Sequence, residues 1–389
     1  MRVVELTAVH VRIPLRKPIR HASHTRIDSD NLLVRCMLED GTQGFGEGVP
    51  REYVTGETID SALDLLRRSD LPAQLSSCRD MTEAVRLAER IQLPTIPGDD
   101  RACKGNSARC AVELAILDAF GRRFREPLAI VTRLLASDLY KPRDHVRYSG
   151  AITSTEGMKL RWLVWKYRIY RFHQLKVKVG ISGQDDVERL RIIRTRGGKR
   201  IDLRIDANEA WTRDNVCQRI LELKPFDISS VEQPLPHDQV DCLKEVRAQT
   251  GVPIMHDESL CSMVDAERAL DRGTCDLFNL RLSKCGGFIP TLRLAQFARK
   301  HGLGYQLGCQ VGETVLLSAA GRHFASSVCG IRYLEGSYDR HLVREPLGLQ
   351  DITFGWGGWA PALTGPGLGV DLDSAALQRV TIRKEALLG

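Results

Sequence analysis

The sequence predicts an α/β protein in which a barrel of parallel strands, joined by helices, follows a smaller α+β domain. Between residues 146 and 335, short β-rich segments alternate with helical stretches, which is typical of a parallel sheet built from βα units. An antiparallel pattern around the two-residue turn Asp40-Gly41 precedes them. At 389 residues, the chain is long enough for about two or three domains.

The first 140 residues predict the α+β domain. Residues 3–15 alternate between apolar and polar, and two strands at 32–38 and 42–47 flank the Asp40-Gly41 turn. Apolar residues with helical spacing follow at 59–68, 81–93 and 107–124. We therefore expect an antiparallel sheet covered by helices.

The barrel is predicted from eight strands, a number that closes a small barrel. They are expected at 146–152, 174–179, 201–207, 228–232, 253–257, 277–282, 304–307 and 331–335. The tail is loop-like, but alternation at 380–383 predicts a strand that returns to the first domain. Two domains result: residues 141–350 form the barrel, and residues 1–140 and 351–389 form the other.

Composition excludes several classes of protein. Hydrophobic residues are 43% and charged residues 27% of the chain, which argues against disorder and coiled coil. No apolar run approaches the ~18 residues of a membrane span. The net charge of +7, from 56 basic and 49 acidic residues, favours approach of anionic substrates. It is too small to indicate nucleic-acid binding.

Cysteine usage and the N-terminus bear on location. The eleven cysteines include no Cys-x-x-Cys pair, so they predict neither a zinc cluster nor a disulfide framework. Residues 1–5 lead directly into an alternating strand pattern without a signal-peptide core. Reduced thiols and a cytoplasmic location are expected.

Polar segments follow five consecutive predicted strands. They are Lys176-Val177-Lys178, Asp206-Ala207-Asn208, Glu232-Gln233-Pro234, Asp257-Glu258-Ser259 and Lys284-Cys285-Gly286-Gly287. From Lys178 to Lys284 the successive steps are 28, 26, 25 and 27 residues, each about one βα unit. Because the C-terminal ends of barrel strands converge on one mouth, we expect these side chains to lie there together.

The carboxylates of this set predict a metal site. Residues i and i+2 of a strand share a face, so Lys176 and Lys178 both point into the barrel. Asp206, Glu232 and Asp257 would repel one another unless a cation lay between them. Mg²⁺ prefers oxygen ligands and leaves positions for substrate oxygens. We therefore expect one Mg²⁺ ion, with Mn²⁺ as a possible substitute.

This arrangement suits removal of a proton from the carbon next to a carboxylate, because a metal stabilises the charge of the resulting enediolate. Lys178 and Lys284 are the expected acid/base pair, since burial and nearby cations lower the pKa of a lysine. Lys176 is either a catalytic group or a structural ion-pair partner. Asn208 and Glu258 are expected behind the ligands rather than as ligands themselves.

The five motifs, in this order, resemble the enolase superfamily, whose sites use a Lys or His base with Mg²⁺, and specifically its muconate-lactonizing-enzyme subgroup. Further similarity lies in residues 53–57, 108–115 and 365–369. The resemblance implies a modified TIM barrel, (β/α)7β, under a capping domain made of both termini. It also implies one Mg²⁺ held by Asp206, Glu232 and Asp257, and a homo-oligomer.

Two departures refine the subgroup. Residues 305–310 lack the His that the mandelate-racemase branch carries at the seventh strand, which favours lysine chemistry. Dipeptide epimerases of the subgroup bind the substrate amino group with an Asp-x-Asp pair after the eighth strand. This chain has Glu335-Gly336-Ser337-Tyr338-Asp339 instead, which counts against dipeptides.

We accordingly expect an isomerase, either a cycloisomerase or a racemase/epimerase of the muconate-lactonizing type. Elimination by a dehydratase or an o-succinylbenzoate-synthase-like enzyme on the same site is an alternative. A catalytically inactive relative kept for binding or structure is the alternative of a different class. The expected partner is a small-molecule carboxylate, without nucleic acid or membrane.

Specificity is expected from side chains that face the mouth. The candidates are Arg20, His21, His24, Arg51 and Tyr53 on loops of the first domain, with Glu313 and Glu335 near the last two strand ends. A zinc site at 21–24 is disfavoured because no Cys or carboxylate lies nearby. Residues 159–171 mix basic residues with Trp and Tyr. We predict an outer barrel helix with a basic solvated face rather than nucleic-acid stacking.

Overall fold

The computed structural model describes residues 1–20 and 25–389, with the backbone alone at residues 19, 20 and 25. Its strands are β1 Val3–Arg20, β2 Thr25–Leu38, β3 Gln43–Gly48, β4 His145–Arg147, β5 Gly150–Ile152, β6 Gln174–Lys178, β7 Asp202–Asp206, β8 Ile228–Glu232, β9 Ile254–His256, β10 Leu277–Leu280, β11 Gly304–Leu307, β12 Ile331–Leu334, β13 Trp359–Pro361 and β14 Thr381–Leu388.

The helices are α1 Glu52–Thr55, α2 Ile59–Arg68, α3 Leu71–Gln74, α4 Met81–Arg90, α5 Asn106–Phe124, α6 Ile130–Leu135, α7 Gly157–Ile169, α8 Asp186–Gly197, α9 Val216–Leu223, α10 Leu243–Thr250, α11 Met263–Arg272, α12 Phe288–Lys300, α13 Val315–Ser327, α14 Asp339–Leu342 and α15 Ser374–Val380. Short 3₁₀ turns lie at Lys224–Phe226, Val240–Cys242 and Trp356–Gly358. Among the residues described, no helix is long and apolar enough to cross a bilayer.

The cap sheet has the strand order β14-β1-β2-β3, so the C-terminal strand returns to the first domain as its alternation predicts. Helix α5 packs across β3 and is buried along most of its length. Gly44, Gly46 and Gly48 permit this close packing, because a Cβ at Gly46 would lie 2.0 Å from the carbonyl oxygen of Ala111. The glycines of β3 therefore let the helix lie directly on the sheet.

The barrel sheet contains β5 to β12 in sequence order, all parallel, with the seven helices α7 to α13 between them. This is the predicted (β/α)7β arrangement. The backbone N–H of Ser149 donates to the carbonyl of Leu334 at 2.8 Å, which joins the two edges of the sheet. Leu175 and Val177 of β6 are fully buried in the apolar layer beneath the outer helices. The alternate residues, Lys176 and Lys178, are thus left to the interior.

The prediction of one strand at 146–152 is wrong. The segment divides into β4, which pairs antiparallel with β13 of the tail, and β5, which alone enters the barrel. Tyr148 lies at the division: its N–H donates to the carbonyl of Gly358 at 2.7 Å, and its ring stacks on Phe354. The tail, predicted to be loop-like, thus contributes the short strand β13, which holds the entry to the barrel.

Candidate active site

The ends of neighbouring strands bring the predicted carboxylates together. In the parallel register of β6, β7 and β8, Lys178 lies opposite Asp206, and Asp206 lies opposite Glu232. Asp257 follows β9, the next strand. All three carboxylates are buried, so each needs a compensating cation.

Lys176 supplies one such cation. Its Nζ lies 3.3 Å from Asp206 Oδ2, 3.4 Å from Glu232 Oε1 and 2.9 Å from Glu335 Oε2. Burial lowers the pKa of Lys176, but attraction to Glu232, Glu335 and Asp206 outweighs burial and raises it above the usual value. Of the two roles predicted for Lys176, this geometry supports the structural ion-pair partner.

Arg281 supplies a second cation, and the sequence analysis missed it. Its Nη2 pairs with Asp257 Oδ2 and lies 3.7 Å from Glu232 Oε1. Asn279 Nδ2 also donates to Glu232 Oε1, at 2.8 Å. Burial, then repulsion from Asp206, raises the pKa of Glu232, against the opposing effect of Lys176. The carboxylate cluster therefore holds more negative charge than its surroundings favour.

This donor set fits Mg²⁺ chemically. It consists of carboxylate oxygens from three adjacent strand ends, which are hard ligands that Mg²⁺ and Mn²⁺ prefer. In the described part of the chain, no three acidic, His or Cys side chains already stand in metal-ligating geometry. Arg281 and Lys284 each hold one oxygen of Asp257. Asp257 would therefore have to share its oxygens between these two cations and a bound divalent ion.

Lys284 is fully buried on the far side of the mouth. Its Nζ donates to the Asp257 carbonyl oxygen at 2.6 Å, to Asp257 Oδ1 at 2.8 Å and to the Asn279 carbonyl oxygen at 2.9 Å. Burial lowers the pKa of this ammonium group. Asn106, the first residue of α5, donates from Nδ2 to the carbonyl oxygens of Lys284 and Cys261 at 2.7 and 2.8 Å. The cap thus holds the backbone of Lys284.

Lys178 stands in a different environment. It is half-buried and lines a cavity of about 920 Å³ together with Glu156, Asn208 and Glu209. Within the described residues its ammonium group has no hydrogen-bond or ion-pair partner. Only its backbone is held, because Arg189 Nη1 donates to the Lys178 carbonyl oxygen at 2.7 Å. The two predicted acid/base lysines therefore differ in how firmly they are fixed.

Asn208 lies two residues after Asp206, and Glu258 follows Asp257 directly. The Asn208 N–H donates to Asp206 Oδ1 at 3.0 Å, from a left-handed backbone with φ of 43°. Burial, with repulsion from Asp206 and Glu209, raises the pKa of Glu258 to about 8. A further supporting group was missed: Gln233 Oε1 accepts from the Asp257 N–H at 2.9 Å and orients this strand end.

Of the specificity candidates in the cap, the structure describes the side chains of Arg51 and Tyr53. Arg51 is buried and donates to Ser29 Oγ at 2.8 Å and to the Val311 carbonyl oxygen at 2.9 Å, so it ties the cap to a barrel loop. The Tyr53 ring lies under the Arg26 guanidinium, 5.3 Å from it. The side chain of Arg20, and His21 and His24 as a whole, lie outside the described residues.

Of the two barrel candidates, Glu313 is half-buried. Its Oε1 accepts from the Gln310 N–H at 2.6 Å, and burial raises its pKa to about 8. Glu335 lies between two cations: its Oε1 is 2.5 Å from Arg204 Nη2, and its Oε2 is bound by Lys176. Burial opposes the ionised form of Glu335, but Lys176 and Arg204 outweigh it and lower its pKa to about 2. Both carboxylate oxygens of Glu335 therefore form ion pairs inside the barrel.

Arg204 was missed although its position carried a signal. It lies two residues before Asp206 on β7, so the period of two places it on the same inward face. Its side chain is fully buried, its Nη1 lies 3.3 Å from Ser149 Oγ, and its guanidinium lies 4.5 Å from the Tyr333 ring centroid. A barrel interior with two inward cations requires the acid that Glu335 provides.

The fold and this strand-end cluster define an enolase-type barrel. The chain belongs to the mandelate racemase/muconate lactonizing enzyme family: the family model for the N-terminal domain of that family matches residues 3–131, and the model for enolase C-terminal domain-like proteins matches residues 162–376.

Curated relatives agree with this family. The chain is 28% identical over 384 residues to N-succinyl-L-Arg/Lys racemase of Bacillus cereus, covering 97% of this chain and 98% of the relative. It is 30% identical over 331 residues to L-Ala-D/L-Glu epimerase of Bacillus subtilis, covering 84% and 86%. These relatives are named as a racemase and an epimerase, so the chain groups with isomerases.

Solved structures agree in fold. The N-succinyl Arg/Lys racemase of Bacillus cereus superposes with a TM-score of 0.86 at 24% identity, covering 99% of this chain and 100% of that chain. A dipeptide epimerase of Cytophaga hutchinsonii, solved with Mg and D-Ala-L-Val, superposes with a TM-score of 0.83 at 25% identity, covering 100% of both chains.

Proposed function

We propose that this protein is a Mg²⁺-dependent racemase or epimerase that inverts the α-carbon of an N-acylated amino acid. The observation that carries the proposal is the placement of two lysines around one carboxylate cluster. Lys178 ends β6, and Lys284 follows β10, four strands further along the eight-stranded sheet. They therefore stand on opposite sides of the mouth, where each can reach one face of a substrate carbon.

Asp206, Glu232 and Asp257 would hold the Mg²⁺ ion. When bound, the ion stabilises the negative charge that develops on the substrate carboxylate as the α-proton leaves. Lys176 stays protonated between Asp206, Glu232 and Glu335, so it neutralises and positions the ligands. It does not serve as a base.

Lys178 and Lys284 exchange the proton. Burial favours the neutral, proton-accepting form of Lys284, and three protein oxygens orient its Nζ. One lysine takes the α-proton from one face of the carbon, and the other returns a proton to the opposite face. Inversion follows from this two-sided exchange. General acid–base groups of this kind contribute about 10²- to 10⁴-fold in rate.

The segment after β12 supports an N-acylated substrate over a dipeptide with a free amino group. A substrate ammonium needs exposed carboxylates, but both oxygens of Glu335 bind Lys176 and Arg204. Asp339 is buried, and burial raises its pKa. The relative that matches nearly the whole chain is named for N-succinylated amino acids, which supports the same substrate class.

Hydrogen exchange tests the proposal directly. The protein is incubated in D₂O with Mg²⁺ and a panel of N-acylamino acids, dipeptides, hydroxy acids and muconates. Proton NMR follows the α-hydrogen, and polarimetry follows the optical rotation of the product. We expect loss of the α-hydrogen signal and inversion for an N-acylamino acid. Exchange confined to dipeptides, or no exchange with any member, would contradict the proposal.

A further inference from the structure

Two cysteines meet where the cap contacts the barrel. Cys103 precedes α5 of the cap, and Cys261 lies in the loop between β9 and α11 of the barrel. Both are buried, and together with Val54 they form a small apolar cluster separate from the larger cores. Both thiols are free. Two segments that are distant in sequence therefore bring together a pair of thiols that the proposed proton exchange does not use.

The two thiols contact each other beside helix α1. Cys261 Sγ lies 3.7 Å from the Val54 carbonyl oxygen, and Cys103 Sγ lies 3.9 Å from the carbonyl oxygen of the next residue, Thr55. The two side chains also hydrogen-bond each other. A disulfide forms between thiols that the backbone already brings into contact, which is the case for this pair.

The backbone around the pair is held from both domains. In the cap, Arg101 Nη2 donates to the Glu258 carbonyl oxygen at 2.7 Å and lies 2.8 Å from Asp265 Oδ2. The same Asp265 oxygen accepts from the Cys261 N–H at 2.8 Å. Asn106 Nδ2 donates to the Cys261 carbonyl oxygen, also at 2.8 Å. These bonds hold the cap segment against the barrel loop, so the two sulfurs stay in contact.

The surroundings favour a thiolate at one member of the pair and a thiol at the other. Burial opposes ionisation of Cys261, but the hydrogen bond from Cys103 and attraction to Arg101 outweigh burial and lower the pKa of Cys261. The same hydrogen bond, together with burial, raises the pKa of Cys103. Because the thiolate is the nucleophilic form of cysteine, Cys261 reacts first and Cys103 second.

Cys110 shows what a buried cysteine without such a partner does. It is fully buried on α5, in the main core of the cap, and burial raises its pKa well above the usual value. A cysteine of that kind packs as a small apolar side chain and is chemically inert. Cys261 differs from Cys110 by the adjacent thiol and the adjacent guanidinium.

We propose that Cys103 and Cys261 are a redox modification site, at which hydrogen peroxide creates a reversible disulfide between cap and barrel. The Cys261 thiolate attacks one peroxide oxygen, the O–O bond breaks, and Cys261 becomes a sulfenic acid as hydroxide leaves. The Cys103 sulfur then attacks the Cys261 sulfur, the S–O bond breaks, and the Cys103 proton leaves with the hydroxyl group as water. The two thiols are oxidised and one peroxide is reduced; a dithiol reductant reverses the step.

Access to the pair does not require the domains to separate. A cavity of about 460 Å³ is lined by Arg101 and Asp265, which hold the Cys261 loop, and by Ser259 of the same loop. Hydrogen peroxide has only two heavy atoms and fits easily into a cavity of this size.

Peptide mass spectrometry of the wild type tests the proposal without any variant. The full chain is treated with a small molar excess of hydrogen peroxide, alkylated with iodoacetamide in denaturant, and digested without reductant. We expect linked peptides containing Cys103 and Cys261 that lack two hydrogens and separate after dithiothreitol, with Cys110 alkylated in the same digest. Recovery of Cys103 and Cys261 in the alkylated form would overturn the proposal, as would a disulfide confined to the half-buried Cys217 and Cys242.

Single variants test the order of the two steps. In Cys103→Ser the reaction should stop at the sulfenic acid, which dimedone labels on Cys261 when it is added with the denaturant. In Cys261→Ser, Cys103 should remain unlabelled. Labelling of Cys103 in that variant, or no labelling of Cys261 in Cys103→Ser, would contradict the assignment of Cys261 as the nucleophile. Circular dichroism establishes that both variants are folded.

Thermal unfolding tests whether the bond joins the two domains. Oxidation should raise the Tm of the wild type by about 5 °C, because the disulfide restricts the unfolded chain, and dithiothreitol should reverse the rise. The control Cys217→Ser/Cys242→Ser, which removes two more accessible thiols, should show the same rise, whereas Cys103→Ser/Cys261→Ser should show none. An equal rise in both double variants would assign the effect to other cysteines.

Discussion

The two sides of the barrel mouth hold the same residue type in opposite ways. Lys284 is fully buried, its ammonium group has three protein acceptors, and a cap helix binds its carbonyl. Lys178 borders an open cavity of about 920 Å³. The cap thus covers one side of the mouth and leaves the other side accessible to a ligand.

The largest expected effect comes from removing either lysine. Lys178→Ala and Lys284→Ala should each lower the rate of racemisation by about 10²- to 10⁴-fold, the contribution of general acid–base catalysis of this type. Each variant should keep α-hydrogen exchange for the enantiomer whose proton faces the remaining lysine. Proton NMR in D₂O with each pure enantiomer measures this division.

The exposed side chain of Lys244 offers a matched control, because α10 lies outside the mouth. Lys244→Ala should retain the wild-type rate. Equal exchange of both enantiomers by Lys178→Ala would show that the two sides are not separate and that Lys284 alone moves the proton.

The next effect concerns the cluster between the two sides. Chelation with EDTA should lower activity at least about 100-fold, and Mg²⁺ should restore it, because the ion offsets charge in the transition state. Mg²⁺ at about 100 times its Kd should also stabilise the chelated protein by about 2.7 kcal/mol, seen as a rise in Tm. Asp206→Asn should abolish that rise, whereas Asp241→Asn, at an exposed carboxylate, should preserve it. Full activity after complete chelation would rule out the metal.

The variant Glu335→Gln tests the ion pairs that Glu335 makes with Lys176 and Arg204. The pKa of Glu335 falls from 4.5 to about 2 on folding, so its ionised form contributes about 3 kcal/mol of stability above pH 4.5. That contribution is lost as pH falls from 4.5 through about 2. Urea unfolding should therefore show a deficit of about 3 kcal/mol in the variant at pH 7 that shrinks below pH 4.5. A deficit independent of pH would contradict the ion pairing.

The smallest effect concerns the hydrogen bond between Asn106 of the cap and the Lys284 carbonyl oxygen. Asn106→Ala removes two hydrogen bonds to the carbonyls of Lys284 and Cys261, so unfolding should be easier by about 1–3 kcal/mol. If Asn106 positions Lys284, kcat should also fall several-fold while KM stays the same. Asn215→Ala removes a hydrogen bond to Thr212, at α9, and should lose stability without loss of kcat. Equal kcat in both variants would assign Asn106 a purely structural role.

Sequence patterns predicted the regular elements closely. The strands β8 and β11 and the helix α2 have the bounds that the sequence analysis predicts. In these segments an apolar pattern is bounded by clear turn or capping residues, and local physics decides where the element ends. At 146–152 local physics does not decide where the strand ends, because β4 pairs with a strand more than 200 residues away. The residue pattern of 146–152 does not show that the segment divides between two sheets.

In the candidate site, too, the sequence predicted some features and not others. Repeated βα lengths predicted that five motifs would meet, because a barrel brings its strand ends to one mouth. Arg281 was missed although it lies within the strand predicted at 277–282, where the period of two places it on the same face as Asn279. Glu335 was predicted to contact substrate, but its carboxylate balances Lys176 and Arg204. The pairing of charges depends on which side chains share a buried space.

By itself, the sequence determined the class of fold, the order of the strands and the residue types at the mouth, because these follow from local periodicity and from the spacing of repeated units. The tertiary structure was needed to show which lysine is buried and which is accessible, and which carboxylates pair with Lys176 and Arg281. Burial and charge pairing arise between segments that are distant in sequence. For that reason Lys178 and Lys284 lie in different environments, and contact with the cap, rather than the sequence motif, makes them different.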